Sequence, residues 1–260
     1  MPIDLNSDLG EGVGDDPHAL DAALLRVITS ANVACGGHAG DAESMMRVCD
    51  TAVPLRVAIG AHVSYVDRDG FGRRSHNVSR EILREQLLEQ MIKLDEIAIA
   101  AGTAVTYVKP HGELYHASSD DAEDAGVITD AVSDFSRETG RRLAVLGLPG
   151  SELLRQTLAS GLTPVGEAFA DRSYTTEGRL VPRSEPGAVV TNTTEALARL
   201  HRLLRDEQIV TIDGTHITVR ARSICIHGDT PGAVVMGRRL RGAIDSDRVK
   251  IVAFAPPPKL

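Results

Sequence analysis

The acids and bases of this chain gather at the ends of its apolar runs. "IDLNSDLGEG" leads to Asn6, Asp8 and Glu11, and "ANVACGGHAGD" leads to His38 and Asp41. "VAIGAHVSYVDRDGFGRR" supplies His62, Ser64, Asp67, Arg73 and Arg74, and "VTYVKPHGELYH" supplies Lys109, His111, Glu113 and Tyr115. "VGEAFADRSY" adds Glu167, Asp171, Arg172 and Tyr174, and "SICIHGDTPGAV" adds His227, Asp229 and Thr230. Turns call for Gly, Asn, Asp, Ser and Pro rather than His, Lys and Glu. These endings therefore read as one shared site for proton transfer and charge stabilisation. A seventh run, "LAVLGLPGSELL", offers only Ser151 and Glu152 and reads as structural, with Ser151 capping a helix.

The groups differ in what they suit. Asp4, Asn6 and Asp8 alternate and share one side of a strand; Asp4 at the start suits bonding to turn amides, Asp8 at the exit suits catalysis. Lys109 precedes Pro110, which holds it extended at a strand exit. A lysine partly desolvated there needs Asp8, Glu167 or an anionic ligand, and is assigned to stabilising negative charge on oxygen. His38 and His62 are either buried structural imidazoles or, with Asp8, ligands of a divalent metal, although no HxxxH or HExxH spacing supports a metal. Arg73 and Arg74 suit a carboxylate or phosphate, or a plain surface. The turn at Asp229 and Thr230 suits an anion at a helix start, or simple capping. No GxxxxGK[ST] is present, and "GEGVGD" breaks GxGxxG at Asp15, so no self-contained nucleotide site of familiar type is expected. GxSxG is also absent. Cys35, beside Gly36, Gly37 and His38, leaves a thiol mechanism as a minor alternative.

The elements that must position these groups alternate. Apolar runs begin near Ile3, Asn32, Arg56, Ala104, Leu143, Thr163 and Ser223, with helical spacing between them. The clearest helix covers Ser79–Ala101, with Ser79 as N-cap and Gly102 past its end; another covers Thr194–Arg205. This alternation predicts an α/β fold, a distorted (β/α)7-type parallel barrel, with a doubly wound sheet as the alternative. One domain spans 1–260, with a β-hairpin insertion near 208–220 around Asp213-Gly214, the composition of a type I′ turn. Asp171 to Pro186 reads as a functional loop, and the "PPPK" tail as extended.

Bulk composition narrows the partners. With no Trp, four Tyr and four Phe among 42% hydrophobic residues, the core must be mostly aliphatic. A net charge of −8 disfavours nucleic acid. Neither a signal peptide nor a membrane-spanning run is visible, so a soluble cytoplasmic protein is expected. Cys35, Cys49 and Cys225 form no CxxC pair and read as buried thiols rather than disulfides.

Taken in order, "DLNSDLGEG", "NVACGGHAGD", "GAHVSYVDRDGFGRR", "VKPHGELY", "EAFADRSY", "GRLVPRSEPGAV" and "ICIHGDTPGAV" span nearly the whole chain, which thereby resembles the LamB/YcsF lactam-utilisation family. The resemblance implies a barrel of the glycoside hydrolase/deacetylase type. It also implies ATP-dependent ring-opening of 5-oxoproline to glutamate by a 5-oxoprolinase, in which this chain would be the A component working with subunits B and C. ATP would enter as its magnesium complex, bound with or by the partners. The chain departs from the family's pattern at Ser7, Gly37, Val63, Val66, Glu113 and His116, so lactam choice is less fixed than the chemistry. On this reading Asp8 or Glu167 activates water, His62 or His111 protonates the ring nitrogen, and Lys109 steadies the oxygen. Glu11, His38 and Asp171 complete the expected catalytic set. Arg73, Arg74, Arg172, His227, Asp229 and Thr230, with Asn6, would hold carboxylate or phosphate. Two rival readings are a non-catalytic component that binds the lactam, and a metal-dependent deacetylase acting alone; a homo-oligomer is compatible with each.

Overall fold

Along the first strand, Leu5 and Leu9 join the apolar layer beneath the helices, while Asp4, Asn6 and Asp8 turn inward to polar partners. Every residue of that strand is buried, as expected for a parallel strand covered on both faces. The computed structural model describes residues 2–230 and 232–258. It contains β1 (Asp4–Leu9), β2 (Ser30–Ala34), β3 (Ala58–Val63), β4 (Val105–Pro110), β5 (Ala144–Gly147) and β6 (Thr163–Phe169). A small hairpin of β7 (Gln208–Val210) and β8 (His216–Thr218) follows, and then β9 (Ser223–Cys225). Strands β1 to β6 and β9 form a closed barrel of parallel pairs, with β9 sealing it between β6 and β1. The barrel reading is confirmed and the doubly wound sheet is excluded.

Helices α1 (Pro17–Leu25), α2 (Ala42–Leu55), α3 (Arg80–Ala100), α4 (Gly112–Asp120), α5 (Ala122–Thr139), α6 (Glu152–Ala159), α7 (Thr193–Asp206) and α8 (Ala233–Ser246) fill the crossovers and flank the barrel. Their starts follow from short polar caps. Ser79 accepts from Ile82 N, Ser151 from Leu154 N, and Asp41 from Ser44 N at 2.8 Å. Gly102 takes φ +90° just past α3, as its position predicts.

The hairpin lies where expected, but its turn differs. Only Gly214 is left-handed, at φ +88°; Asp213 keeps a negative φ, whereas a type I′ turn needs both residues positive. Thr211 N bonds Thr215 O at 2.8 Å and Gly214 N bonds Thr211 O at 3.0 Å, closing a three-residue loop with Gly214 as its bulge. Asp213 stays on the other side because its carboxylate accepts from the Thr211 hydroxyl and the Thr215 amide.

The bottom of the barrel is plugged from the C-terminus. Val252 N bonds Ile3 O, Thr106 Oγ1 donates to Ala255 O, and Phe254 packs on Tyr107 with ring centroids 4.8 Å apart. The tail's Lys259, like Pro231 of the "HGDTPGAV" turn, lies outside the described residues. Tyr107 crosses the interior over Gly60 and donates to Asn32 Oδ1 at 2.7 Å. Among the described residues no helix is long and apolar enough to cross a membrane.

A Cβ at Gly60 would overlap Cζ and Cε2 of Tyr107. Gly60→Ala should therefore destabilise by about 1–3 kcal/mol in urea denaturation. Combining it with Tyr107→Leu should give less than the sum of the two single losses, because the clash is then gone. Wild-type stability in Gly60→Ala would show that the ring is not held there.

Candidate active site

The chemistry gathers around one ammonium group. Lys109 leaves β4 beside His62, its register partner on β3, and is only 2% exposed. Its Nζ lies 3.2 Å from Asp8 Oδ1, 3.1 Å from Glu167 Oε2 and 3.2 Å from Cys225 Sγ. Burial opposes the cation, yet Asp8, Cys225 and Glu167 hold its pKa well above the lysine range. Burial likewise opposes the Asp8 anion, but Lys109, His62 and His227 pull that carboxyl well below its usual range. Asn32 Nδ2 donates to Asp8 Oδ1 at 2.8 Å and to Asn6 Oδ1 at 2.7 Å, fixing both in place. Deeper still, Asp4 accepts from the hydroxyls of Thr29, Ser30 and Ser223, side chains brought to it by the closed barrel rather than the turn amides expected of it.

Beside Asp8 lies a cluster of three imidazoles and one carboxylate. His38 stacks on His111 with centroids 3.6 Å apart, and His62 meets both edge-on. Glu11 Oε1 lies 2.9 Å from His38 Nε2 and 3.5 Å from His111 Nδ1. Burial, with Asp8 nearby, pushes Glu11 up to about 7, and burial lowers His38 and His111 well below the histidine range. The loop between β3 and α3 makes this packing close. Gly112 (φ +57°) lies against the Gly72 carbonyl, where a Cβ would overlap it, and Phe71 O accepts from His111 Nε2 at 2.9 Å.

On the opposite side, Asp171 is fully buried and faces His227 Nδ1 at 3.0 Å through both oxygens. It also accepts from the Thr230 hydroxyl at 2.7 Å and from His227 N. His227 Nε2 is thereby turned toward Asp8, 4.0 Å from Oδ2. Above these groups opens a cavity of about 400 Å³, bordered by Asp8, Glu11, His62, Lys109, His111 and His227. Its outer wall comes from the loop after β6, through Arg172, Leu180, Pro182, Arg183 and Ser184. Arg73 and Arg183 each place a guanidinium nitrogen 3.0 Å from Asp229 Oδ2 at the rim.

Several expected roles change with this geometry. Arg74 leaves the site: its side chain is 60% exposed and pairs with Asp67, holding the loop that carries Phe71. Arg172 borders the cavity, but its Nη2 donates to Val181 O at 2.6 Å, so it clasps the loop. The Thr230 hydroxyl is taken by Asp171, and Asp229 brings an acid, not an anion site, between two arginines. Asn6, Glu167 and Asp171 lie beneath or behind the cavity wall and support the groups that line it. His38 and His62 do converge on acids, but the four-donor group is Glu11, His38, His62 and His111; Asp8 belongs to a second group with Cys225 and His227. Cys35 is buried and its thiol pushed up to about 12, which removes it as a thiolate nucleophile at neutral pH. Arg183 is a site residue that the sequence does not single out; its only signal there is its place in the long loop from Asp171.

Comparison with known proteins agrees with the architecture. The family model described as LamB/YcsF matches residues 3–258. A curated protein of Streptomyces avermitilis, named as the A subunit of 5-oxoprolinase, is 51% identical over 253 residues, covering 97% of this chain and all of that protein. One of Paracidovorax citrulli with the same name is 47% identical over 255 residues, covering 98% of this chain and all of its own. Among solved structures, the lactam utilization protein of Thermus thermophilus superposes with a TM-score of 0.89 at 35% identity, over 98% of this chain and 100% of that one. A family 4 carbohydrate esterase of Streptomyces lividans shares the fold alone, with a TM-score of 0.50 at 12% identity over 98% of this chain and 93% of that one. The chain belongs to the LamB/YcsF family.

Proposed function

We propose that this chain is the A subunit of a 5-oxoprolinase and carries the ring-opening of 5-oxoproline to glutamate, driven by ATP and assisted by partner subunits B and C. The observation that carries this reading is end-to-end identity of 42–51% to relatives named as that component of 5-oxoprolinase. The cavity supports it: about 400 Å³ suits a small ring compound, and acids, imidazoles and a buried cation converge on it.

An unstrained lactam resists water because its nitrogen is a poor leaving group and its carbonyl carbon a poor electrophile. Transfer of the ATP γ-phosphoryl group to the amide oxygen makes that carbon electrophilic. Water then adds to the carbon, the ring C–N bond breaks as nitrogen takes a proton, and the resulting acyl phosphate is hydrolysed by a second water to glutamate and phosphate. In this reading Asp8, held as an anion beside Lys109, takes the proton of the attacking water, and Lys109 steadies charge on oxygen. The proton for nitrogen comes from His227 rather than from His62 or His111. Asp171 holds its Nδ1–H and leaves Nε2 facing the cavity and Asp8, so Nε2 takes up the proton that Asp8 removes from water and passes it to the nitrogen, the logic of an oriented acid–base histidine. Arg73 and Arg183 at the rim suit the substrate carboxylate or a phosphate.

Three measurements test the reading. Glutamate formation from 5-oxoproline and ATP should require this chain together with subunits B and C; full-rate ring-opening by the partners alone would assign the chemistry to them and leave this chain a binding role. Asp8→Asn should lower kcat by roughly 10²–10⁴-fold while circular dichroism stays native. Asp171→Asn should lower kcat by a similar factor of roughly 10²–10⁴ with little change in KM and an altered pH profile. Normal turnover in either variant would remove that residue from the mechanism.

A further inference from the structure

The imidazole cluster has a hydrogen-bond pattern that needs a cation. Ser64 Oγ spends its proton on Tyr65 O at 2.9 Å, so at 3.0 Å it can only accept from His38 Nδ1. The Lys109 carbonyl likewise only accepts, from His62 Nδ1 at 3.1 Å, and the Phe71 carbonyl from His111 Nε2 at 2.9 Å. Each ring thus has one nitrogen committed as donor. In the neutral imidazoles the lone pairs lie on His38 Nε2, His62 Nε2 and His111 Nδ1. All three point at one another and at Glu11 Oε1, and His62 Nε2 also lies 3.4 Å from Asp8 Oδ1. His62 Nε2 and His111 Nδ1, two acceptors, face each other at 3.1 Å, and His38 Nε2 faces the carboxylate oxygen at 2.9 Å.

We propose that Glu11, His38, His62 and His111 bind one divalent transition-metal ion of the zinc class at the cavity floor. Their donor atoms all lie within 4.8 Å of one another. Separations of 2.9, 3.1, 3.5 and 3.9 Å bracket the ~3.3 Å edge of a tetrahedron built on bonds of ~2.0–2.1 Å. Three imidazoles and one carboxylate suit zinc and its transition-metal neighbours, not magnesium or calcium, which take oxygen donors. The surrounding shell is already built, since each ring donates its second nitrogen to a protein oxygen, the arrangement that orients metal-ligating histidines. Glu11, His62 and His111 border the cavity, so an ion there would reach a substrate oxygen or water. The alternative occupant is a pair of protons, one shared by Glu11 and His38 and one by His62 and His111. The inference holds whatever the substrate is.

The test uses the full chain, stripped with dipicolinate and titrated with zinc against a chromophoric chelator, with cobalt absorption as a second readout. One equivalent should bind, and cobalt should give visible bands of low-symmetry coordination. Ser64→Ala, which removes the anchor of His38 along with the hydroxyl's bond to Tyr65 O, should weaken binding by roughly 10–100-fold. Glu11→Gln and His111→Gln should weaken it further while keeping native circular dichroism. Absence of saturable zinc or cobalt uptake by the wild-type chain would overturn the site in favour of shared protons. So would wild-type affinity in all three variants. Metal bound by a chain that, mixed with subunits B and C and ATP, still opens no lactam would retain the site and remove the proposed function.

Discussion

The ammonium of Lys109, enclosed in the barrel between Asp8 and Glu167, is the constraint on which the rest depends. A cation withdrawn from water costs several kcal/mol unless its partners are in contact, and removing one partner of such a group typically costs about 3–5 kcal/mol. Its partners come from β1 and β6, on opposite sides of β4 around the ring of strands. Satisfying the charge therefore requires the barrel to be closed. The same closure brings Asn6, Asn32 and Ser223 into a hydrogen-bonded column below it, so that the interior is polar at the mouth and apolar only near the plug of Ala253, Phe254 and Ala255.

Charge in the loops is divided between holding and binding. Asp67 with Arg74 and His76, and Arg172 with the carbonyls of Val181 and Ala188, tie loops down. Arg73 and Arg183 share Asp229 and face the cavity. A shared carboxylate keeps two guanidinium groups together without neutralising both, which leaves a net positive rim for an anionic group. The two imidazole systems are divided in the same way. Asp171 commits His227 to one tautomer facing Asp8, whereas backbone and serine oxygens commit three other rings to pointing inward at Glu11. On the proposals above, one histidine would move a proton and three would hold a cation.

Much of this was legible in the chain. Apolar runs ending in His, Lys and Glu marked the strand exits, because side chains that cannot serve turns need another reason to be there. Pro110 marked where β4 stops, and Ser79 with Gly102 marked both ends of α3, because these are backbone constraints of single residues. Hairpin geometry was less legible: Asp213-Gly214 permits a type I′ turn, and only the hydrogen bonds of the Asp213 carboxylate decide against it.

What the sequence by itself determined is the set of groups delivered to one end of the barrel, since period, strand exits and caps are local and are written in neighbouring residues. What only the tertiary structure decided is how those groups pair. Asp8 goes to Lys109, Arg74 goes to Asp67, Asp171 goes to His227, and Glu11 joins three histidines. Pairing depends on hydrogen-bond distances between strand residues 217 apart in the chain, as Asn6 and Ser223 show at 2.7 Å. No local pattern encodes such a distance; it appears only when the barrel closes.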